Sequence, residues 1–198
     1  MSNNALIVFL KNPDSENVKT RLAKEIGKTK AREVYEKLLQ HTLKESFKSD
    51  ATIHLFFSGG IPDRLKFPNT LMVHQRGESL GDRMKNAFQD IFKSGFQNAV
   101  IIGSDCPELF VLHLHEAFLA LHEVDVVIGP AIDGGYYLLG MKSLHPSIFK
   151  NKQWSTATVL DDTIEDLRSL GLSYKLLPTL TDVDTIEDYL KFPDFHVS

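Results

Sequence analysis

The sequence lacks the features of secreted and membrane-spanning proteins. Only one of its 198 residues is cysteine, so an intrachain disulfide is impossible and a reducing compartment is favoured. No apolar run approaches the ~20 residues that a helix needs to span a bilayer. The apolar residues 5–10 lack the length and the preceding basic region of a signal peptide. We therefore expect a cytoplasmic protein with no membrane partner.

Several other classes of protein are also disfavoured. The 22 Lys and Arg residues against 26 Asp and Glu give a formal charge of −4, without the basic field of a general nucleic-acid binder. The eight histidines are scattered, and Cys106 has no partner cysteine with which to form a zinc site. Ser104 is not in a Gly-x-Ser-x-Gly motif, which argues against a triad hydrolase. A cysteine at the end of a buried strand is usually inert, so we do not expect catalysis by Cys106.

What the sequence does contain is an alternation of strand and helix patterns, which predicts an α/β domain over residues 1–198. Helices should cover both faces of a mostly parallel sheet, and a hairpin-like Asp-Gly-Gly turn predicts at least one antiparallel strand. The predicted strands cover residues 5–10, 52–57, 71–74, 99–103, 125–130, 136–141 and 174–177. Residues 18–22 lead into a predicted helix that residues 31–47 continue, and further helices are predicted over residues 82–92, 108–121 and 158–170. Gly171 ends the last of these, and a short helix closes the chain.

The central stretch is residues 99–107, an apolar run that stops at Gly103 and then presents Asp105. Ligands of open α/β sheets bind outside the carboxyl ends of the strands, so Asp105 is expected where chemistry takes place. Pro107 is expected to begin the next helix. The alternative is that Asp105 merely caps that helix.

Three cations follow the first strand, Lys11, Lys19 and Arg21, and they cluster where a helix is predicted to begin. A helix N-terminus favours anions, and arginine can bind phosphate oxygens in bidentate fashion. A solvated basic surface is the alternative. We favour phosphate binding, because cations at a helix start oppose the helix dipole and such mismatches are expected at functional sites.

A second candidate nucleotide-binding segment contains Gly81 and Arg83. Gly81 permits close approach of the backbone to a ligand, and Arg83 falls in the first turn of the next predicted helix. The alternative is an ordinary loop with Asp82 as the helix cap.

The predicted turn at Asp133, Gly134, Gly135, Tyr136 and Tyr137 should lie near Asp105. Asp133 could then act in catalysis, with Gly134, Gly135 and Tyr136 binding an acceptor. The alternative is a structural turn with two half-buried tyrosines.

Near the end of the chain, Asp182 and Asp184 stand two residues apart, so in an extended segment they point the same way. If this segment returns to Asp105, the carboxylates could converge on Mg²⁺ or Mn²⁺, which prefer carboxylate and phosphate oxygens. The alternative is a capping box with Asp184 as the cap and Glu187 three residues later.

Together these segments resemble a family. Lys11-Asn-Pro13, residues 18–22, 80–84, 103–107, 129–140 and 182–188 are similar in order to the GT-A-type nucleotide-diphospho-sugar transferases that include the arsenosugar-biosynthesis glycosyltransferases. The resemblance implies a three-layer, Rossmann-like fold, a nucleotide-sugar donor and a small-molecule acceptor. It also implies Mg²⁺ or Mn²⁺ held by Asp105, in the place of the metal-binding carboxylate, and by Asp184.

Two other functions stay open. The segment Lys19-Thr-Arg-Leu22 is also similar to the start of phospholactate guanylyltransferases, in which a nucleoside triphosphate and a phosphorylated acceptor react and release pyrophosphate. Glu16 stands where the family usually has glycine, and a carboxylate there should repel phosphates. A non-catalytic nucleotide-binding module is therefore the third alternative.

Overall fold

The computed structural model describes residues 2–15, 18–67 and 70–197. The strands are β1 (Asn4–Lys11), β2 (Thr52–Ser58), β3 (Leu71–His74), β4 (Asn98–Ile102), β5 (Val126–Pro130), β6 (Tyr136–Met141) and β7 (Tyr174–Leu176). The helices are α1 (Thr20–Ile26), α2 (Lys28–Ser46), α3 (Leu80–Lys93), α4 (Val111–Ala120), α5 (Val159–Ser169) and α6 (Ile186–Leu190), with short 3₁₀ turns at Pro146–Phe149 and Pro193–Phe195.

The seven strands form a sheet in the order β3-β2-β1-β4-β6-β5-β7. Strand β6 is antiparallel to both of its neighbours, whereas the other described pairs are parallel. The predicted mostly parallel, mixed sheet is therefore confirmed. As expected, β4 and β5 run in the same direction, with β6 between them.

Helices pack on both faces of the sheet, which confirms the three-layer α/β fold. Helices α2 and α4 share one apolar cluster with the sheet, and α3 and α5 share the cluster on the other face. Strands buried on both faces must be apolar at nearly every position, which is why β1, β4 and β5 were readable as continuous apolar runs.

A smaller apolar cluster joins the two ends of the chain. Leu22 of α1 and Val34 and Leu38 of α2 pack with Val183 and Tyr189. Burial of this cluster brings the segment before α6 back to the start of α1, where the predicted phosphate-binding cations lie.

Helix α4 begins at Val111, so the expectation that Pro107 begins this helix is wrong, and so is the alternative that Asp105 caps it. Pro107 instead lies in a turn in which the Leu109 N–H donates to the Cys106 carbonyl. The N–H of Val111 donates to Oε2 of Glu45, a buried carboxylate of α2, at 3.1 Å. Because Glu45 satisfies this amide, Asp105 is left without a capping role.

The other two proposed caps are each replaced by a nearby hydroxyl. The side chain of Ser79 accepts from the N–H of Asp82 at the start of α3, so Asp82 is not the cap. The side chain of Thr185 accepts from the N–H of Asp188 at the start of α6, so Asp184 is not the cap either. Serine and threonine are favoured at this position.

The end of α5 agrees with the sequence prediction. Gly171 has a φ of +65°, and the N–H of Leu172 donates to the carbonyl of Leu167, as in the usual glycine-terminated helix. Within the described residues, no helix is long and apolar enough to cross a membrane.

Candidate active site

A cleft of about 460 Å³ lies where β1 and β4 end. Strand β1 has β2 on one side and β4 on the other, and such a topological switch point is where open α/β sheets bind ligands. The cleft brings together predicted site residues from every part of the chain. Those that line it are Lys11, Lys19, Arg21, Arg83, Asp105, Asp133, Gly135, Tyr136 and Asp184.

One side of the cleft consists of Lys19, Asp105, Asp182 and Asp184, which we call the charged wall. The Nζ of Lys19 lies 2.9 Å from Oδ2 of Asp105 and 3.2 Å from Oδ1 of Asp184. The Lys19 side chain is only 4% exposed, whereas the two aspartates are 34% and 45% exposed. We expected the Lys19 ammonium to be free to bind phosphate. Instead, it bridges two carboxylates.

The Lys19 backbone is strained in order to make this bridge. With φ 48° and ψ 49° it is left-handed, a conformation that costs an ordinary L-residue roughly 1–2 kcal/mol. This residue immediately precedes α1, so the turn that begins the helix also directs the ammonium inward.

Electrostatics keeps the bridging groups charged. Burial alone would lower the pKa of Lys19, but the charges of Asp105 and Asp184 and their hydrogen bonds outweigh burial and raise that pKa. Burial alone would raise the pKa of Asp105, but the neighbouring Lys19 holds it below its ordinary value. The lysine and Asp105 are therefore both ionised at neutral pH.

Asp182 adds a third carboxylate to this wall. Its Oδ1 is buried and has no hydrogen-bond partner among the described residues. Burial and then the charge of Asp105 raise its pKa well above the ordinary value. The N–H of Val183 donates to the carbonyl of Asp105 at 2.9 Å, which places this segment at the Asp105 edge. The sequence resemblance gave Asp182 no role, and its spacing from Asp184 was the signal for it.

The cations at the mouth of the cleft differ from Lys19. Lys11 and Arg21 have no ion-pair partner within the ranges that the structure describes. Arg83 donates from Nε to the carbonyl of Gly77 at 3.2 Å. These three side chains retain donors for an anion in the cleft.

A buried tyrosine joins the two strand ends beneath these groups. The N–H of Lys11 donates to the hydroxyl of Tyr35 at 2.8 Å, and that hydroxyl lies 3.1 Å from Oγ of Ser104. Burial raises the pKa of Tyr35. The helical period could predict only that Tyr35 is a core residue, since its polar partners come from β1 and the end of β4.

The other side of the cleft is apolar. Tyr136 and Trp154, with Leu80 and Met84 beside them, form what we call the aromatic wall. The two rings meet edge to face, with centroids 6.4 Å apart and an interplanar angle of 89°. A Cβ on Gly81 would lie 2.4 Å from Nε1 of Trp154. The missing side chain of Gly81 therefore makes room for the indole, while nucleotide binding by Gly81 stays a prediction.

The Asp133 turn is packed tightly against the segment that carries Trp154. Gly134 has a φ of +86°, and a Cβ there would lie 2.1 Å from the carbonyl oxygen of Ala157. The N–H of Leu160 donates to the Gly134 carbonyl at 3.0 Å. Oδ1 of Asp133 accepts from the N–H of Gly135 at 2.9 Å, and Oδ2 has no partner among the described residues.

Two neighbouring groups are structural. Tyr137 is buried and not half-buried as in the alternative of a structural turn, and its hydroxyl donates to the Pro178 carbonyl at 3.1 Å. Cys106 is also buried, and burial raises the pKa of its thiol, as expected for an unreactive cysteine. Glu16, the residue that departs from the family pattern, lies outside the described residues.

Within residues 2–15, 18–67 and 70–197, no three His, Cys, Asp or Glu side chains are grouped so that they could hold a metal ion. The paired carboxylates still suit a hard cation, because Mg²⁺ is commonly bound by one or two carboxylates together with substrate phosphates.

Comparison with known proteins agrees with the fold and the resemblance. The family model "Uncharacterized protein conserved in bacteria (DUF2064)" matches residues 42–156. A solved structure of a candidate nucleotide-diphospho-sugar transferase from Desulfovibrio desulfuricans G20 is 33% identical and has a TM-score of 0.92. That match covers 98% of this chain and 88% of the other. The predicted resemblance to nucleotide-diphospho-sugar transferases is thereby confirmed. A search of curated proteins finds no match.

More distant structures share the fold. Rv0371c of Mycobacterium tuberculosis H37Rv, in a complex with manganese, is 14% identical with a TM-score of 0.55 and coverage of 96% and 98% of the two chains. The inositol-1-phosphate CTP transferase of T. maritima is 13% identical with a TM-score of 0.56 and coverage of 94% and 91%. At these identities the similarity concerns the fold alone.

Proposed function

The chain belongs to the bacterial protein family DUF2064, and we propose that it is a transferase that binds a nucleotide-sugar and passes the sugar to a small acceptor. One cleft combines cations that have no ion-pair partner among the described residues, the paired carboxylates of Asp105 and Asp184, and the carboxylate of Asp133. This observation carries the proposal. The 33% identity to a candidate nucleotide-diphospho-sugar transferase supports it.

In this proposal, Lys11 and Arg21 bind the diphosphate, with Arg83 and the backbone at Gly81 completing the nucleotide site. Arginine matches phosphate oxygens in a bidentate geometry, whereas lysine acts as a point charge. Lys19 was expected to bind phosphate directly, but its bridge favours a positioning role. Its ammonium holds Asp105 and Asp184 at a fixed separation.

Asp105 and Asp184 would hold Mg²⁺ or Mn²⁺. Their half-exposed oxygens are hard ligands of the kind that these ions prefer, and substrate phosphates would complete the coordination. When bound, the ion would supply positive charge that stabilises the leaving diphosphate.

Asp133 is proposed as the catalytic base. Its Oδ1 is engaged by Gly135, while Oδ2 is available to accept a proton from an acceptor hydroxyl. Gly134, Gly135 and Tyr136 would shape the acceptor site. Replacing Asp133 with Asn should lower turnover by about 10²–10⁴-fold, and unchanged turnover would remove the base role.

The test begins with thermal shifts for nucleoside diphosphates, triphosphates and UDP- or GDP-sugars, each with and without Mn²⁺. A ligand present at a hundred times its Kd should stabilise the protein by ~2.7 kcal/mol. We expect the nucleotide-sugar shift to need the metal and to disappear in Asp105→Ala. Asp125→Asn is the matched control, because Asp125 hydrogen-bonds to Ser173 away from the cleft.

Turnover then separates the candidate functions. Release of a nucleoside diphosphate from a nucleotide-sugar supports glycosyl transfer. Release of pyrophosphate from a triphosphate would favour nucleotidyl transfer, and tight binding without turnover would favour a non-catalytic module. No shift with any nucleotide would overturn the proposal.

A further inference from the structure

Trp154 is the only tryptophan in the chain, and it lies in the cleft without a predicted role. It packs against the apolar cluster on the α3 and α5 face of the sheet. The segment bearing Asp184, in contrast, packs through Val183 against α1 and α2. The aromatic and charged walls are therefore supported by different apolar clusters.

The indole is held in a defined position from several directions. Its Nε1 side has contact with Gly81, and its ring meets Tyr136 edge to face. The segment that follows it is fixed by the contact between Ala157 and Gly134. A rigid aromatic surface of this kind binds at low entropic cost, because few side-chain rotations are lost.

The residue next to Trp154 is strained. Ser155 has a φ of 65°, and it lines the cleft together with Trp154 and Thr156. Non-glycine residues in such conformations concentrate at ligand-binding and catalytic sites. Lys19 of the charged wall is left-handed as well. One strained residue therefore lies in the charged wall, and another lies beside the aromatic wall.

We propose that Trp154 is the platform for the donor's sugar ring, with Asp133 and Tyr136 left to the acceptor beside it. This inference rests on the proposed function. An indole offers an apolar surface to the C–H face of a sugar, and a few placed polar groups then fix its orientation. The turn that carries Asp133 is packed directly against residues 157–160, so an acceptor hydroxyl at Oδ2 of Asp133 would lie close to a sugar on Trp154. The nucleobase of the donor would bind elsewhere in the cleft.

The test uses tryptophan fluorescence, excited where tyrosine does not absorb, which reports on Trp154 alone because the chain has one tryptophan and five tyrosines. UDP, UDP-glucose, GDP and GDP-mannose are titrated in the presence of Mg²⁺. A nucleotide-sugar that binds should change the emission more than its parent diphosphate does. Equal emission changes would overturn the sugar assignment.

Two variants sharpen the result, with binding measured by calorimetry. Trp154→Leu retains apolar bulk without the aromatic face, and it should weaken nucleotide-sugar binding about tenfold while changing diphosphate binding by less than about twofold. Trp154→Phe retains a ring and should stay within about threefold of the wild type. If Trp154→Leu does not fold, the phenylalanine variant and the wild-type fluorescence decide the question.

The outcomes separate this inference from the proposed function. Equal weakening of diphosphate and nucleotide-sugar binding would mean that the nucleobase or the phosphates contact Trp154. No weakening of either would mean that Trp154 contacts neither ligand. Both results overturn the sugar subsite while nucleotide binding itself stands. Failure of every nucleotide to bind the wild type would overturn the proposed function and this inference together.

Discussion

The two walls of the cleft are held by different forces. In the charged wall, one buried ammonium fixes two carboxylates at 2.9 and 3.2 Å. In the aromatic wall, glycines at positions 81 and 134 leave space that an indole and a carbonyl group occupy. The first arrangement should respond to charge, ions and pH, and the second to volume.

This difference suggests a division of labour. When a metal cation or a phosphate enters the cleft, the carboxylates can pair with the cation and the Lys19 ammonium can pair with the phosphate. The side chains of the charged wall can therefore exchange partners. A wall fixed by steric fit resists change, since interiors packed to high density tolerate an added methylene poorly. The proposed reaction needs a site that accepts charge beside one that keeps its shape.

The largest effect should come from Lys19→Met. Removing the ammonium leaves Asp105 and Asp184 uncompensated, and breaking a buried ion pair on one side typically costs about 3–5 kcal/mol. Because both aspartates are partly exposed, we expect a loss of about 3 kcal/mol in the free energy of unfolding, measured by chemical denaturation. Mg²⁺ should restore more stability to this variant than to the wild type.

Lys11→Met is the matched control for Lys19→Met. Lys11 has no ion-pair partner among the described residues and its side chain is exposed, so stability should change little. Nucleotide binding should weaken instead. If Lys19→Met and Lys11→Met lose the same free energy of unfolding, the ion pairs of Lys19 do not stabilise the charged wall.

The aromatic wall is tested by volume, with Gly134→Ala and Gly81→Ala. The Gly134 substitution meets a backbone carbonyl at a positive φ, whereas the Gly81 substitution meets a side chain and needs no positive φ. We expect losses of about 2–3 kcal/mol for Gly134→Ala and about 1 kcal/mol for Gly81→Ala. Denaturation curves should show this order, and the reverse order would mean that the indole is the more rigid of the two contacts.

The same contrast explains what the sequence could predict. Asp105 was recognisable because it follows a buried strand, and Asp184 because it stands two residues from another carboxylate. The aromatic wall was missed because Gly81 and Trp154 are far apart in the chain, and no periodic pattern connects them. Local patterns identify strand ends and turns, but they carry no information on which distant side chain fills the space beside a glycine.

Errors within the charged wall had a different origin. Lys19 was expected to face the ligand, but its left-handed backbone directs the ammonium to two carboxylates. No sequence pattern predicts that a lysine will adopt a left-handed backbone conformation. The alternatives in which Asp184, and outside this wall Asp82, cap a helix are also wrong, because Thr185 and Ser79 occupy those positions.

A smaller effect concerns pH, through Asp182. Its pKa is raised above 3.8 in the folded protein by burial and by Asp105, so the folded state binds the proton more tightly than the unfolded state. The stabilisation is complete below pH 3.8 and is lost as the pH rises through the folded pKa. A tenfold difference in proton affinity between the two states corresponds to about 1.4 kcal/mol. Wild-type stability should therefore fall relative to Asp182→Asn as the pH rises.

Asp125→Asn should show the opposite sign. Hydrogen bonds from Ser173 lower the pKa of Asp125, so its contribution is present above pH 3.8 and is lost as the pH falls. Thermal unfolding of both variants and the wild type across pH 3–8 measures the two differences. Slopes of the same sign would contradict the assignment of Asp182 to a buried, charge-repelled position.

The smallest effect should come from relieving strain beside the aromatic wall. Ser155→Gly removes a left-handed cost of roughly 1–2 kcal/mol but adds the chain entropy of glycine, about 0.5–1 kcal/mol. The net gain in unfolding free energy should lie between about 0 and 1.5 kcal/mol. Asn151→Gly, at a φ of 55°, should gain less because asparagine tolerates this conformation. If the strain serves the sugar subsite, Ser155→Gly should bind the nucleotide-sugar more weakly although it is more stable. If Ser155→Gly is less stable than the wild type, the contacts of the serine side chain outweigh the backbone strain.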